Sequence, residues 1–437
     1  MIDFNTLSHN MKRSLLGFTK KICSELPRPA FKMVSSVMYG VAAGGSPHLS
    51  EIARALNEDI SLKKVIDRLS RNLATFTDKK HALLLKGYLK AVKNNFDKNT
   101  VFVVDGGDIA KGYSSKLEGL CQIRDGSRGG LATGYHTLEI VALTKENKSP
   151  VPLYTRVFSS CERGFVSEPD EVNKGLALMG ETFWGKGVYL FDRGFDSVFL
   201  YEGMFKRRQQ FITRITENRH IRYKGETVNA FAFAQKYKGK YSFKFKRGGQ
   251  LAIDCKVSCI PVSLPKLKDK ELMLVMVYGF GESPMLLLTN MKIKDSKLCV
   301  GIAKLYLLRW RIEEYYRFKK QQYDFEDFRV RSLQSIRALN LIVSILAGWI
   351  GLMNEKHKNG SSNATRELLA ASKRVYPQKS DLKQKAFLFY AIASGLAATF
   401  SKTRQGISGL LTKDKRPDPQ MCWDFDTLFC DVHTFFP

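Results

Sequence analysis

Two periods of apolar residues run along this chain, and the change from one to the other organises it. Up to about Asn99 the period is helical: Leu62, Val65, Ile66, Leu69 and Leu73 recur at i, i+3, i+4, i+7 and i+11, after a helix over Ser50–Leu56 with Ser50 as candidate N-cap. Lys63, Lys64, Arg68 and Arg71 take the other sides of the second helix. From Thr100 short β-branched and aromatic runs take over. They predict strands over Val101–Asp105, Tyr135–Leu143, Pro152–Ser159, Gly187–Asp192 and Phe211–Ile215, with helices over Pro169–Phe183 and Asp196–Arg207. Helical periodicity then lapses: Phe231, Phe233, Tyr237, Tyr241, Phe243 and Phe245 alternate with basic residues, and Val257–Leu264, Leu272–Tyr278 and Met285–Leu288 read as strands. It returns over Leu305–Lys320, a stretch of good helix formers without Gly or Pro, and continues in Leu333–Met353, Ala364–Ser372 and Leu382–Ala397. The tail Lys413–Pro437, basic and then aromatic and acidic, predicts no element.

These breaks divide the 437 residues into an all-helical N-terminal domain (1–99), the first part of an α/β core (100–215), a β-rich insertion (216–298), the second part of the core (299–355) and a C-terminal helical region and tail (356–437). A formal net charge of +28 then changes the picture, because self-repulsion of that size costs stability unless a polyanion relieves it. Nucleic acid is the expected partner, with log K falling by about 0.9 per phosphate contact for each tenfold rise in salt. Basic clusters recur at Lys206-Arg207-Arg208, at Arg214 with Arg219 and Arg222, and from Lys236 through Arg247. The aromatics of the insertion have two readings, as stacking platforms for bases or as the two faces of a small sheet. The pair of helices over 50–73 also has two, a helix-turn-helix or part of a small helical bundle with a basic surface.

Eight scattered cysteines and no signal-like apolar run near the basic N-terminus point to a reduced, cytoplasmic protein. Cys255 with Cys259, and Cys422 with Cys430 and His433, have metal-like spacing but complete no four-ligand set. The most apolar segment, Leu339–Met353, is shorter than the roughly 20 residues of a bilayer span and reads as a buried core helix, with no membrane partner.

The candidate chemistry lies in three carboxylates. At about 100° per residue Tyr306, Arg309, Glu313 and Lys320 fall within an arc of roughly 60°, so one helix face carries an acid among cations. Two upstream runs repeat a single design, an apolar strand ending in Asp and a Gly-containing turn: Val101-Phe102-Val103-Val104-Asp105-Gly106-Gly107, and Val188-Tyr189-Leu190-Phe191-Asp192-Arg193-Gly194. Taken singly, the stripe is a solvated face, Asp105-Gly106 a turn and Asp192 a helix cap. Together they suggest a metal site. Carboxylates held close raise one another's pKa unless a cation neutralises them, and Mg2+ takes oxygen ligands without needing His or Cys.

With these residues the chain resembles the DDE transposases of bacterial insertion sequences, in particular the group with a Tyr-x2-Arg-x3-Glu-x6-Lys signature, matched at Tyr306, Arg309, Glu313 and Lys320. Asp105-Gly106-Gly107-Asp108-Ile109-Ala110-Lys111, Asp192-Arg193-Gly194-Phe195-Asp196 and Leu287-Leu288-Thr289-Asn290 extend the likeness, which covers roughly Val101 to Met353. The resemblance implies an RNase H-like mixed sheet flanked by helices, interrupted by the β-rich insertion, with Asp105, Asp192 and Glu313 as catalytic and metal-binding triad. It implies two Mg2+ ions, with Mn2+ as a substitute, cleavage of the element's ends, and joining to target DNA by hydrolysis and transesterification. Arg309 and Lys320 become phosphate contacts and Tyr306 a hydrogen-bond donor near the scissile bond. Lys63, Lys64, Arg68 and Arg71 become contacts to double-stranded DNA at the terminal inverted repeats, read by a homodimer in a bacterial cytoplasm, at the nucleoid. Residues 216–298 hold no Trp, so the hairpin step of relatives that stack a flipped base on a Trp there is not implied; Trp184, Trp310, Trp349 and Trp423 lie elsewhere, and Trp310 points about 100° from Arg309. A silent DNA-binding regulator and a nuclease without strand transfer are the alternatives.

Overall fold

A computed structural model describes residues 2–125, 129–146, 148–246, 252–358, 363–375, 388–403 and 405–412. The expectations for Cys422, Trp423, Cys430 and His433, for Arg247, for the first turns of Leu382–Ala397 and for the tail from Lys413 lie outside the described residues. The chain separates into two compact units, one of Met1–Ala91, Lys116–Glu118 and Phe318–Pro437, the other of Val92–Ser115 and Gly119–Arg317.

The first unit is helical. The helix Leu62–Ala74 buries Val65, Leu69 and Leu73, as its periodicity predicts, while Leu62 at the open end of the stripe is exposed. Ser61 caps this helix by accepting from the Lys64 N–H; the preceding helix is Leu49–Leu56, so Ser50 lies inside it and His48 occupies the cap position instead. The helix Leu333–Lys358 is long and apolar enough to cross a membrane, yet it is buried here against Arg28–Gly44, Leu62–Ala74, Asn363–Val375 and Leu388–Ser401. Helices far apart in sequence thus share one core, in which Phe18 stacks on Trp349 and Tyr39 meets Phe400.

The second unit is built on one mixed sheet whose strands are β1 (Val101–Ala110), β2 (Cys121–Asp125), β3 (Gly130–Leu143), β4 (Pro150–Phe158), β5 (Val188–Phe191), β6 (Gln210–Arg214), β7 (His220–Tyr223), β8 (Glu226–Asn229), β9 (Tyr241–Phe245), β10 (Ile253–Leu264), β11 (Leu267–Tyr278) and β12 (Met285–Thr289). Their order is β2-β3-β1-β5-β6-β12-β11-β10-β7-β8, with β4 beside β3 and β9 beside β10. The run β4-β3-β1-β5-β6, antiparallel up to β1 and parallel from β1 through β5 to β6, is the RNase H-like order. Parallel strands covered on both faces read as unbroken apolar runs, which is why Val101–Val104 and Val188–Phe191 are wholly buried. On one face Phe102 stacks on Tyr189 and packs against Phe183, just after the helix Glu168–Thr182.

Four local expectations are corrected. β1 does not end at Asp105 but runs on to Ala110, paired with β3 as far as Ala110↔Gly134. Gly106 and Gly107 are therefore strand residues rather than a turn, and a β-carbon on Gly107 would lie 3.0 Å from Thr137 Oγ1 and 3.9 Å from the Tyr316 ring. Phe231 and Phe233 sit on a short helix, Ala230–Gln235, capped by Asn229. The strands after 216 do not form a sheet apart: β12 pairs with β6 and extends the core sheet. Finally, Leu305–Lys320 is not one α-helix; Ser296–Tyr306 tightens into a 3-10 turn over Leu307–Trp310 before Arg311–Tyr323 resumes. At 120° per residue for that turn, the buried Tyr306 and Ile312 come to within about 40° of each other, against about 120° in a continuous α-helix. The change of winding thus turns both buried side chains to one side of the helix.

Candidate active site

The parallel ladder between β1 and β5 ends at the pair Val104↔Phe191, and the next residue on each strand is an aspartate. In-register parallel neighbours point to one face, so Asp105 and Asp192 emerge side by side from strands about 4.8 Å apart. Asp192 is held by the turn that follows it, its Oδ1 accepting from the Gly194 N–H at 3.1 Å, so the capping role foreseen for it is real and coexists with its place beside Asp105.

The stripe after Ser296 faces these acids. Arg309 Nη1 lies 3.6 Å from Asp105 Oδ2, and its Nη2 donates to Glu313 Oε1 at 3.4 Å. One guanidinium thus bridges two of the three carboxylates. Eclipsing at i and i+3 across the 3-10 turn brings Tyr306 onto the same line, near enough for the Arg309 charge to act on its phenol. Side-chain exposure falls from 46% at Glu313 to 20% at Arg309 and 15% at Asp105, so the last is the most desolvated. Burial first, and then Asp192 and Glu313, push the Asp105 carboxyl up to about 7, even though Arg309 and the Gly106 N–H pull the other way. Burial likewise raises the Tyr306 phenol to about 12, so it stays a neutral donor. Arg309 is raised in spite of its burial by Asp105, Tyr306, Asp192 and Glu313, which fixes it as a cation.

Three carboxylates gathered on a positive charge, with only oxygen donors among them, fit a hard divalent cation. Among the described residues no three His, Cys, Asp or Glu side chains stand in metal-holding contact; Arg309 occupies the position of counter-charge between Asp105 and Glu313. Cys255 and Cys259 are free thiols on β10.

Of the other expected residues, Lys63, Lys64 and Arg71 are exposed along Leu62–Ala74. Arg68 is engaged: it grips Glu58 in a bidentate pair at 2.6 and 2.7 Å, and Ser408 donates to the same carboxylate. Lys320 pairs with Glu326 at 2.8 Å. In the aromatic stretch, Phe233 packs between Tyr223 and Tyr237 and Phe243 is buried, while Lys224 and Lys240 lie over Tyr223 and Tyr241. Trp310 holds the Arg311 guanidinium over its ring at 4.7 Å.

One supporting group escaped the sequence reading. Asp196, fully buried, accepts from Tyr201 Oη at 2.6 Å, the Thr216 N–H at 2.8 Å and hydroxyl at 2.9 Å, and pairs with Arg219 at 2.7 Å. It pins the far end of the turn that begins at Asp192. Its place four residues after Asp192, in the segment that extends the family likeness, did not disclose this role; the partner arginine lies too far along the chain to be matched by spacing.

The family model "Transposase DDE domain" matches residues 170–349, a span that contains Asp192, the arginine bridge and Glu313 and begins after Asp105. No curated protein sequence matches the chain. Among solved structures, the cryo-EM structure of the piggyBac transposase synaptic complex with hairpin DNA is similar at a TM-score of 0.47 and 9% identity, over 99% of this chain and 87% of that one. Residues 170–349 of this chain are thus similar to the transposase DDE domain, a family of DNA-cleaving, strand-transferring enzymes.

Proposed function

We propose that this chain is a DDE transposase that cleaves the ends of a bacterial insertion sequence and joins them to target DNA, with Asp105, Asp192 and Glu313 as its triad, and that it belongs to the group carrying the Tyr306, Arg309, Glu313, Lys320 signature. The observation that carries the reading is the placing of two aspartates at the end of one parallel ladder, with Arg309 joining Asp105 to Glu313. DDE transposases use divalent cations, and the oxygen-only donor set favours Mg2+, two ions with Mn2+ as substitute. When bound, they supply Lewis-acid stabilisation of the leaving oxygen and activation of the attacking water or 3′-hydroxyl.

The chain's own residues do the rest. Asp105 gives up its proton before it can serve as a ligand, since its carboxyl titrates at about 7. Arg309, one 3-10 turn beyond Tyr306, is freed from the carboxylates to meet a phosphate of the scissile strand, and Lys320 contacts the same strand from the next turns of the helix. Exposed Lys63, Lys64 and Arg71 meet the backbone of the terminal repeat as a homodimer assembles on two ends. Arg68 braces that helix through Glu58.

The test is incubation of wild type and Glu313→Gln with Mg2+ and a labelled duplex ending in the inverted repeats that flank the coding region. Cleavage at the repeat boundary plus joined products, from wild type alone, supports the reading. Cleavage without joining favours a nuclease, and binding without cleavage by either protein favours a regulator.

A further inference from the structure

One row of side chains crosses the sheet on the face that carries Asp105. Directly paired residues of antiparallel strands share a face, so the pairings Asp105↔Glu139 and Glu139↔Thr155 set these three residues side by side across β1, β3 and β4. Glu139 is only 1% exposed, within an otherwise apolar run from Leu138 to Leu143. A carboxyl group so placed is costly unless donors meet it. They meet it from two sides: Thr155 Oγ1 donates to Oε1 at 2.8 Å from β4, and Tyr315 Oη donates to Oε2 at 3.4 Å from the helix Arg311–Tyr323.

The next residue on that helix makes a parallel contact. Tyr316 Oη donates to the backbone carbonyl of Asp105 at 3.4 Å, and its ring lies beside Gly107, where a β-carbon would stand 3.9 Å from it. Two consecutive tyrosines therefore tie the helix to adjacent points of the sheet, one at Asp105 itself and one at the residue beside it. Glu313 precedes Tyr315 by two positions, less than one turn away. The depth at which the helix settles on the row fixes how closely Glu313 approaches Asp105.

We propose that Glu139, acting through Tyr315, is a positioning residue that sets the approach of Glu313 to Asp105 and thereby the affinity of the triad for divalent cations. The inference rests on the triad reading above. Glu139 touches neither the ion nor DNA; Thr155 orients its carboxyl, and Tyr315 transmits its position to the helix.

The experiment uses the full chain as wild type, Tyr315→Phe, Glu139→Gln, the double variant and Glu313→Gln. Mn2+ binding is followed by the loss of the free-ion resonance, beside the Mg2+ concentration giving half-maximal cleavage of a repeat-ended duplex. Tyr315→Phe is expected to weaken Mn2+ binding about 10-fold and to raise the Mg2+ requirement by the same factor, with the rate recovered at saturating Mg2+, as for residues that orient metal ligands. Melting temperature and repeat binding stay near wild type, and the double variant is no worse than the worse single one. Unchanged Mn2+ affinity and Mg2+ requirement overturn the inference, as does a rate that falls at every Mg2+ concentration in step with melting temperature. Should Tyr315→Phe fail to fold, the nearly isosteric Glu139→Gln decides by the same measures. A wild type that binds Mn2+ without cutting sinks the strand-transfer reading, while the Mn2+ comparison still judges the positioning role. Cleavage by Glu313→Gln at the wild-type rate sinks the triad and this inference together.

Discussion

Replacing Arg309 by Gln withdraws the one guanidinium that bridges Asp105 and Glu313 and leaves the three carboxylates without their counter-charge. The loss divides by exposure. Breaking a buried ion pair costs about 3–5 kcal/mol; the Asp105 half belongs at the low end, about 3, because its contact is long at 3.6 Å. The contact to the half-exposed Glu313 adds less than about 1 kcal/mol. For a unit of this size that corresponds to a melting temperature lower by roughly 6–12 °C. The sign with pH follows from Asp105: its folded pKa, about 7, lies above the unfolded value of about 3.9, so its contribution is intact below about pH 4 and is lost as pH rises through 7. Without Arg309 the folded pKa climbs further and the loss extends to higher pH. Scanning calorimetry in EDTA should therefore show a large deficit for Arg309→Gln at pH 8 and a small one at pH 5.5. Mg2+ at about 100 times its Kd should return about 2.7 kcal/mol at pH 8. An equal deficit at both pH values, or none, would refute the assignment of Arg309 as resident counter-charge.

Three further outcomes are expected. Lys63→Ala with Lys64→Ala should weaken repeat binding and lower the slope of log K against log salt by about 2, with stability changed by less than about 0.5 kcal/mol; an unchanged slope removes that helix from the DNA interface. Arg68→Ala should cost about 2 kcal/mol instead, in urea denaturation at pH 7. Burial opposes ionisation of Glu58, but the hydrogen bonds from Arg68 and Ser408 and the Arg68 charge outweigh it and lower its pKa, so this deficit should be full above about pH 4.3 and vanish as pH falls below the folded value. Asp196→Asn, which strips Arg219 of its buried partner, should cost about 3 kcal/mol and reduce cleavage, whereas wild-type activity would show that the turn after Asp192 needs no such anchor.

Much of the site was legible because local rules coincide with tertiary ones there. An apolar run ending in Asp marks a buried strand whichever sheet receives it, and both aspartates were found that way. Gly106-Gly107 misled, since paired glycines signal a turn and only the pairing with β3, which sets Thr137 Oγ1 3.0 Å from where a β-carbon of Gly107 would stand, shows them in a strand. The winding of 307–310 was hidden for a similar reason: α and 3-10 forms differ little locally, and the burial of Tyr306 and Ile312 to one side shows only in the fold. Arg68 and Asp196 took their roles from partners 10 and 23 residues away, beyond the reach of periodicity. Alternating aromatics suggested strand over 231–233, where the Asn229 cap starts a helix instead.

The end of the β1/β5 ladder bears on how the site can be modulated. Asp105 and Asp192 each follow directly on the last rung of the ladder, Val104↔Phe191, so the spacing of their backbones is set by the sheet. Glu313 arrives on a helix, past a turn of different winding, and is the movable jaw of a clamp whose other jaw is rigid. Whatever throttles this enzyme has to act on that jaw, and the length of the strands inserted between β6 and β12 is free to drift without detuning the fixed one.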